Sequence, residues 1–255
     1  MTTPPRVCIT GAASGIGLAT AARFAAACDD VIMVDQRADQ LETAAESFDA
    51  LNCKVATRVC DLTDEDQVAD LFAGLPPLDH LILSSSVSSE GFIESTTLHD
   101  WNYLLNTNLT GAFLCLKYAA PKLRQTESAS VVAVSSISNQ VIGAGGSCAA
   151  YEASQAGLKQ LIRAFAVEYA PEGIRANLVS PGQVSSSQTA IAQEGQRRVF
   201  TSPAGQKRPR LPVSAPLKTE AAPSDIAETI HFLTSSGASF LTGAELVADG
   251  GYTRI

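Results

Sequence analysis

The 255-residue chain carries a formal net charge of −8 and is 45% hydrophobic but only 17% charged. That balance supplies enough apolar material for a buried core and excludes intrinsic disorder, while the acidic excess argues against a general nucleic-acid surface. No run reaches the roughly 18 consecutive apolar residues of a membrane span, and residues 1–6 lead towards a first strand without the basic and apolar regions of a secretory leader, so a soluble cytoplasmic protein that engages neither membrane nor nucleic acid is expected.

In chain order, short apolar runs rich in β-branched residues predict strands at 6–10, 31–35, 55–60, 80–84, 131–135 and 175–180, with a last one at 245–248 ahead of Asp249-Gly250-Gly251. Amphipathic stretches over 15–27, 38–50, 64–74, 97–124, 150–170 and 223–235 fall between them and predict helices. Strands and helices that alternate in this way predict a mostly parallel, seven-stranded sheet covered on both faces, and right-handed crossovers bring two βαβ halves together at a switch point where a dinucleotide can lie. One doubly wound α/β domain over residues 1–255 is expected. The aperiodic stretch 183–219, which holds Pro203, Pro209, Pro212 and Pro216, is expected to be a substrate lid.

Six cysteines, Cys8, Cys28, Cys53, Cys60, Cys115 and Cys148, are scattered without paired spacing, which reads as reduced, structural thiols. His80, His99 and His231 are dispersed and form no cluster with acids or thiols, so no metal site is expected.

The strongest local signal is Thr10-Gly11-Ala12-Ala13-Ser14-Gly15-Ile16-Gly17, set between the first strand and an Ala-rich helix. Glycines there allow a tight turn and close backbone approach to a pyrophosphate, whose charge suits the N–H groups of a helix start; a glycine-rich turn without ligand is the plain alternative. This spacing resembles the short-chain dehydrogenase/reductase family, and further matches follow across nearly the whole chain at Asp61-Leu62, Asn108-Leu109-Thr110-Gly111, Ser135-Ser136, Tyr151, Pro181-Gly182 and Asp249-Gly250-Gly251. The resemblance implies a Rossmann-type fold with a nicotinamide dinucleotide held by Gly11, Ser14, Gly15, Ile16 and Gly17, and with further contacts from Gln36, Ser84, Ser85, Ser86, Pro181, Gly182 and Val184. It also implies a homo-oligomer, dimer or tetramer, packed through the helices at 97–124 and 150–170. Asp35 ends the second strand, where an acidic residue binds the adenosine ribose hydroxyls and repels a 2′-phosphate, so NAD is the expected cofactor; Arg37 is the residue that would favour NADP instead. Asp61 and Leu62 would flank the adenine, with helix capping as the structural alternative for Asp61.

Tyr151 matches the family's catalytic tyrosine, which exchanges a proton with the substrate oxygen as hydride moves to or from the nicotinamide; taken alone, a tyrosine at a helix start is an ordinary packed aromatic. The family's lysine four residues further on is Gln155 in this chain. Residues 151 and 155 share a helix face, and an amide keeps a hydrogen bond to the ribose but lacks the charge that lowers the tyrosine from about 10. Lys159 lies another turn along the same face and would have to reach across that turn to substitute. Ser136 at a strand end, fifteen positions before Tyr151, is the expected holder of the reacting oxygen, and Ser138 at the more usual thirteen is the alternative. Asn108 matches the asparagine whose helix backbone holds a relay water in relatives; a helix kink made for packing is its structural alternative. The family's Asn-Asn-Ala-Gly after the fourth strand is replaced by Leu83-Ser84-Ser85-Ser86, which sets a Cβ where backbone ordinarily approaches the cofactor.

Between 183 and 219, Arg197, Arg198, Lys207, Arg208, Arg210 and Lys218 stand against Glu194 alone. Such a stretch would steer an anionic small-molecule substrate, or else form a solvated lid face or a subunit contact. The expected activity is that of an NAD(H)-dependent oxidoreductase interconverting a secondary alcohol and a ketone. The neutral Gln155 leaves open a non-redox enzyme on the same fold, such as a dehydratase, isomerase or cyclase, and also a catalytically silent dinucleotide-binding protein.

Overall fold

Strict alternation along the strands builds this molecule: every second residue of a strand faces the same side of the sheet. In the computed structural model, which describes residues 4–27, 29–51, 53–142, 148–185, 198–199, 215–217 and 220–254, seven strands run parallel: β1 (Arg6–Thr10), β2 (Asp30–Asp35), β3 (Lys54–Val59), β4 (His80–Leu83), β5 (Ser130–Val134), β6 (Arg175–Pro181) and β7 (Glu245–Ala248). Their spatial order is β3-β2-β1-β4-β5-β6-β7. Val7, Ile9, Val31, Met33, Ile82, Val132 and Val134 bury one face, whereas Cys8, Ile32, Val34, Leu81, Leu83, Val131 and Ala133 bury the other.

The first face is covered by α1 (Gly15–Ala26), α2 (Ala38–Glu46) and α7 (Pro223–Thr234), through residues such as Phe24, Leu41 and Ile230. The second is covered by α3 (Glu65–Ala73), α5 (Gly111–Leu123) and α6 (Ala149–Tyr169), through Phe72, Leu116 and Ile162. Both faces of the sheet are therefore dry, as a parallel sheet requires. β3 is the exception: it is an edge strand, and its Lys54 and Arg58 give it a polar exposed side.

The sequence predicts one helix over 97–124, and the structure breaks it in two. α4 (Leu98–Leu105) passes into a π-helical turn, Asn106–Thr110, before α5 begins. The widened turn is centred on Asn108, whose buried side chain bonds outside its own helix. Of the stretch 183–219, Arg197, Lys207, Arg208, Arg210, Lys218 and Glu194 lie outside the described residues, as do Gly143, Gly145, Gly146 and Cys28. The described part of that stretch includes a two-residue strand, Arg198–Val199, paired in parallel with Ser89–Glu90. No helix among the described residues is long and apolar enough to cross a membrane.

One buried ion pair ties α6 to the far strand. Lys159 Nζ lies 2.6 Å from Glu245 Oε2, with the two side chains 17% and 7% exposed. The other carboxylate oxygen accepts hydrogen bonds from Ser180 Oγ at 2.6 Å and Asn139 Nδ2 at 2.7 Å. Burial works to raise the Glu245 pKa, but hydrogen bonds from Lys159, Ser180 and Asn139 outweigh it and hold the group down to about 2. A carboxylate depressed in this way adds stability above its unfolded pKa, and that contribution is lost as pH falls towards 2. Replacing Lys159 by Met strands the buried charge and should cost about 3 kcal/mol in denaturant unfolding at neutral pH. The difference from wild type should shrink as pH falls through 4 and Glu245 protonates in the variant; equal unfolding midpoints at neutral pH would contradict this account of the pair.

Candidate active site

The site begins where β1 and β4 leave the sheet side by side. Gly11 has a φ of 66°, and a Cβ there would lie 2.9 Å from the backbone of Ser84 and Ser85. Only glycine lets the two chains touch. Gly17 closes the loop further, since a Cβ on it would meet Gly11 O at 2.1 Å. Thr10 completes the joint: its Oγ1 accepts the N–H groups of Ser84 at 3.1 Å and Ser85 at 3.4 Å.

Beyond the joint opens a cavity of about 610 Å³ at the carboxyl edge of the sheet, a size common for ligand sites. Gly11, Ser14, Gly15, Ile16, Gly17, Asp35, Gln36, Asp61, Leu62, Ser84, Ser85, Ser86, Tyr151 and Val184, all expected from the sequence, line it. The helix α1 meets it end-on. The first hydrogen bond within α1 runs from Leu18 N to Ser14 O, so the N–H groups of residues 15–17 have no acceptor in their own helix. Asn108, Ser136, Ser138 and Gln155 are not among the lining residues, and neither are Pro181 and Gly182. Their turn is pressed against the last strand instead: Gly182 N donates to Ala248 O, and a Cβ on Gly182 would meet Asp249 at 2.9 Å.

At one end of the cavity Asp35 is buried and fully engaged. Its carboxylate accepts from Ala13 N at 3.3 Å and Arg37 N at 3.1 Å, and takes a two-pronged contact from the Arg37 guanidinium at 3.0 and 3.2 Å. The guanidinium also donates to Ser14 Oγ. Arg37 therefore partners Asp35 rather than standing apart as an independent cation. Asp61 does not cap the following helix. Its Oδ1 accepts from the N–H and hydroxyl of Thr63, whereas Asp64 caps α3 by accepting from Asp66 N and Gln67 N.

At the other end stands Tyr151, in the first turn of α6, its ring packed on Val87, Leu104, Cys148 and Ala150. Burial raises its pKa, and hydrogen bonding with Ser136 and Ser86 works against that rise. Tyr151 therefore remains a phenol at neutral pH. Of the two candidate serines, Ser136 at the strand end is the one that works to lower the Tyr151 pKa. Ser138 backs it, donating its N–H to Ser136 Oγ and accepting from that hydroxyl, both at 3.2 Å.

Asn108 Oδ1 accepts from Val87 N at 2.8 Å, and its Nδ2 donates to Val87 O at 2.9 Å and Ser154 Oγ at 3.0 Å. Its side chain thus has a structural job and is closed to substrate. Lys159 does not substitute for the family lysine, because its ammonium is bound to Glu245. Gln155 is 1% exposed, and both its Oε1 and Nε2 lack a hydrogen-bond partner. A buried amide left so costs about 1–3 kcal/mol per group, which marks the position as one built for a partner.

A further wall was missed in the sequence. His99, Asn102, Tyr103 and Asn106 line the cavity from α4 and its π-helical continuation. Their spacing of three and four residues puts them on one helix face, and that polar stripe was the available signal.

The family described as enoyl-(acyl carrier protein) reductase matches residues 11–253. The chain is 35% identical over 252 residues to cis-4-hydroxycyclohexanecarboxylate dehydrogenase of Sinomonas cyclohexanicum, covering 97% of this chain and 96% of that one. It is 30% identical over 253 residues to a galactitol 2-dehydrogenase (L-tagatose-forming) of Cereibacter sphaeroides, covering 96% and 93%. Among solved structures, an oxidoreductase of the short-chain dehydrogenase/reductase family from Burkholderia thailandensis superposes with a TM-score of 0.84 at 31% identity, covering 100% of this chain and 94% of that one. With the Gly11–Gly17 turn, the parallel sheet and the Tyr151–Ser136 pair in place, these likenesses show that the chain belongs to the short-chain dehydrogenase/reductase family of oxidoreductases.

Proposed function

We propose that the protein is an NAD(H)-dependent oxidoreductase that interconverts a secondary alcohol and a ketone, with Tyr151 as proton donor and acceptor. The observation that carries this reading is that Tyr151, whose pKa Ser136 works to lower, lines the same cavity that receives the open end of α1.

A nicotinamide dinucleotide fits the residues present. The N–H groups of residues 15–17 suit a diphosphate, and Asp35, which lines the cavity beside Arg37, stands where the adenosine ribose would lie. When bound, the cofactor supplies or accepts the hydride. Ser136 would hold the substrate oxygen beside the phenol. Tyr151 gives that oxygen a proton in reduction and takes one in oxidation. Because burial keeps Tyr151 protonated, reduction is the direction the site is ready for at neutral pH.

The preference for NAD rests on charge. Among the described residues lining the cavity, Arg37 is the one lysine or arginine, against two carboxylates, Asp35 and Asp61. A 2′-phosphate would meet no surplus cation. NADH should bind at least about tenfold more tightly than NADPH in calorimetric titrations, a difference of about 1.4 kcal/mol. Asp35→Ala should narrow that gap by releasing Arg37; tighter binding of NADPH to the wild type would contradict the assignment.

The outer faces of α4, α5 and α6 expose Leu98, Phe113 and Val167, which supports a homo-oligomer assembled through these helices. The basic residues around 197–218 support an anionic substrate by steering alone.

Tyr151→Phe should reduce turnover by about 10²- to 10⁴-fold with cofactor affinity retained. Oxidation by the wild type should rise about tenfold per pH unit through neutral and mildly alkaline pH, since its base is the minor phenolate, while reduction stays level. Gln155→Lys should move the oxidation profile to lower pH. Consumption of substrate without any change in the absorbance of reduced nicotinamide would favour a non-redox reaction instead.

A further inference from the structure

Two departures from the family pattern fall around Tyr151, one a helical turn further along α6 and the other in the same cavity. Residue 155 is a neutral glutamine where a lysine is expected, and residue 86 is a serine where a glycine is expected. The first removes a cation from the neighbourhood of the Tyr151 oxygen. The second brings a hydroxyl close to it: Ser86 and Tyr151 line the same cavity, and Ser86 works to lower the Tyr151 pKa.

The position of Ser86 is fixed from both sides. Just before it, the N–H groups of Ser84 and Ser85 are held by Thr10 Oγ1. Just after it, Val87 gives its N–H to Asn108 and receives a hydrogen bond from Asn108 on its carbonyl. Asn108 in turn donates to Ser154 Oγ, and Ser154 donates to the Tyr151 carbonyl at 2.7 Å. The segment bearing Ser86 and the helix turn bearing Tyr151 are thus clamped together by a single buried amide. Asn108 and Ser154 position the two hydroxyls, although neither faces the substrate.

We propose that Ser86 is a catalytic residue of this site, its hydroxyl donating the hydrogen bond that, with Ser136, supports the ionised Tyr151 oxygen where the family uses a lysine. The inference rests on Tyr151 being the acid and base of the reaction. In reduction, Tyr151 passes its proton to the substrate oxygen and becomes a phenolate that accepts hydrogen bonds from Ser86 and Ser136. Ser86 is exposed to the cavity, so its hydroxyl can then relay a proton from solvent to the phenolate and be reprotonated in the same exchange. Oxidation runs these transfers backwards. No net proton is left on Ser86 in either direction. Hydrogen bonds stabilise the phenolate by sharing its charge without a neighbouring cation, so Tyr151 gains less acidity than beside an ammonium group.

The test is the ionisation of residue 151 in the cofactor-free protein. Fluorotyrosine incorporated biosynthetically makes the phenol acidic enough to titrate, and fluorine NMR separates the five tyrosines, with Tyr151→Phe assigning the resonance. Ser86→Ala and Ser86→Gly should raise the apparent pKa at 151 by about 1–2 units, the effect of one hydrogen bond to a charged oxygen. Ser86→Thr, which keeps the hydroxyl, should restore it. Oxidation at fixed pH should fall about tenfold or more in the first two variants and recover in the third. An unchanged titration in both Ala and Gly variants overturns the inference, even in an active enzyme. A raised pKa in a protein inactive on every alcohol and ketone offered overturns the oxidoreductase reading, and leaves the Ser86 bond to Tyr151 standing.

Discussion

The approach of β1 to β4 at their carboxyl ends is the constraint on which the site depends. Gly11 lies against the backbone of Ser84 and Ser85, and Thr10 Oγ1 takes the N–H groups of those same two serines. A side chain at 11 would force the strands apart, since its Cβ would fall 2.9 Å from main-chain atoms that cannot give way. From this joint the chain turns through Gly17 into α1 on one side and through Ser86 and Val87 towards Asn108 on the other. Both walls of the cavity, the glycine turn and the hydroxyl-rich segment opposite, inherit their placement from it.

Charge is arranged around the cavity so that its chemical end stays neutral. Arg37 is matched to Asp35 at one end, and Lys159, the cation nearest in sequence to Gln155, is bound to Glu245 behind the sheet. The Tyr151 oxygen is left among serine hydroxyls. Burial holds such a phenol in its protonated form, the form that gives up a proton in the proposed reduction. Asn139 Nδ2 also links this buried charge to the end of β5, since it contacts Ser135 Oγ as well as Glu245 and Ser180. The turn carrying Ser136 is thereby anchored to the last two strands.

Much of this was legible in the sequence where local geometry alone decides. Gly11 and Gly17 are dictated by a turn with no room for a side chain and Gly15 by its positive φ, and Asp35, Ser136 and Tyr151 by their places at strand ends and a helix start. The strand periods were readable for the same reason, because each buried strand shows one residue in two to either face. What stayed hidden depends on partners distant in sequence. The break in the helix at 106–110 follows from Asn108 bonding to Val87 and Ser154, and the fate of Lys159 follows from Glu245. The sequence showed Ser86 as a misfit with the family, and only the fold showed that it lines the cavity together with the tyrosine.

The most direct measurement of the central claim, that a dinucleotide lies on the edge built by the β1–β4 joint, is backbone amide exchange with deuterium in the presence and absence of excess NADH. The account predicts slowed exchange concentrated in residues 11–17, 35–37 and 84–88, with the back edge of the sheet unaffected. Unaltered exchange in all three segments, in a protein that is otherwise folded, would contradict it.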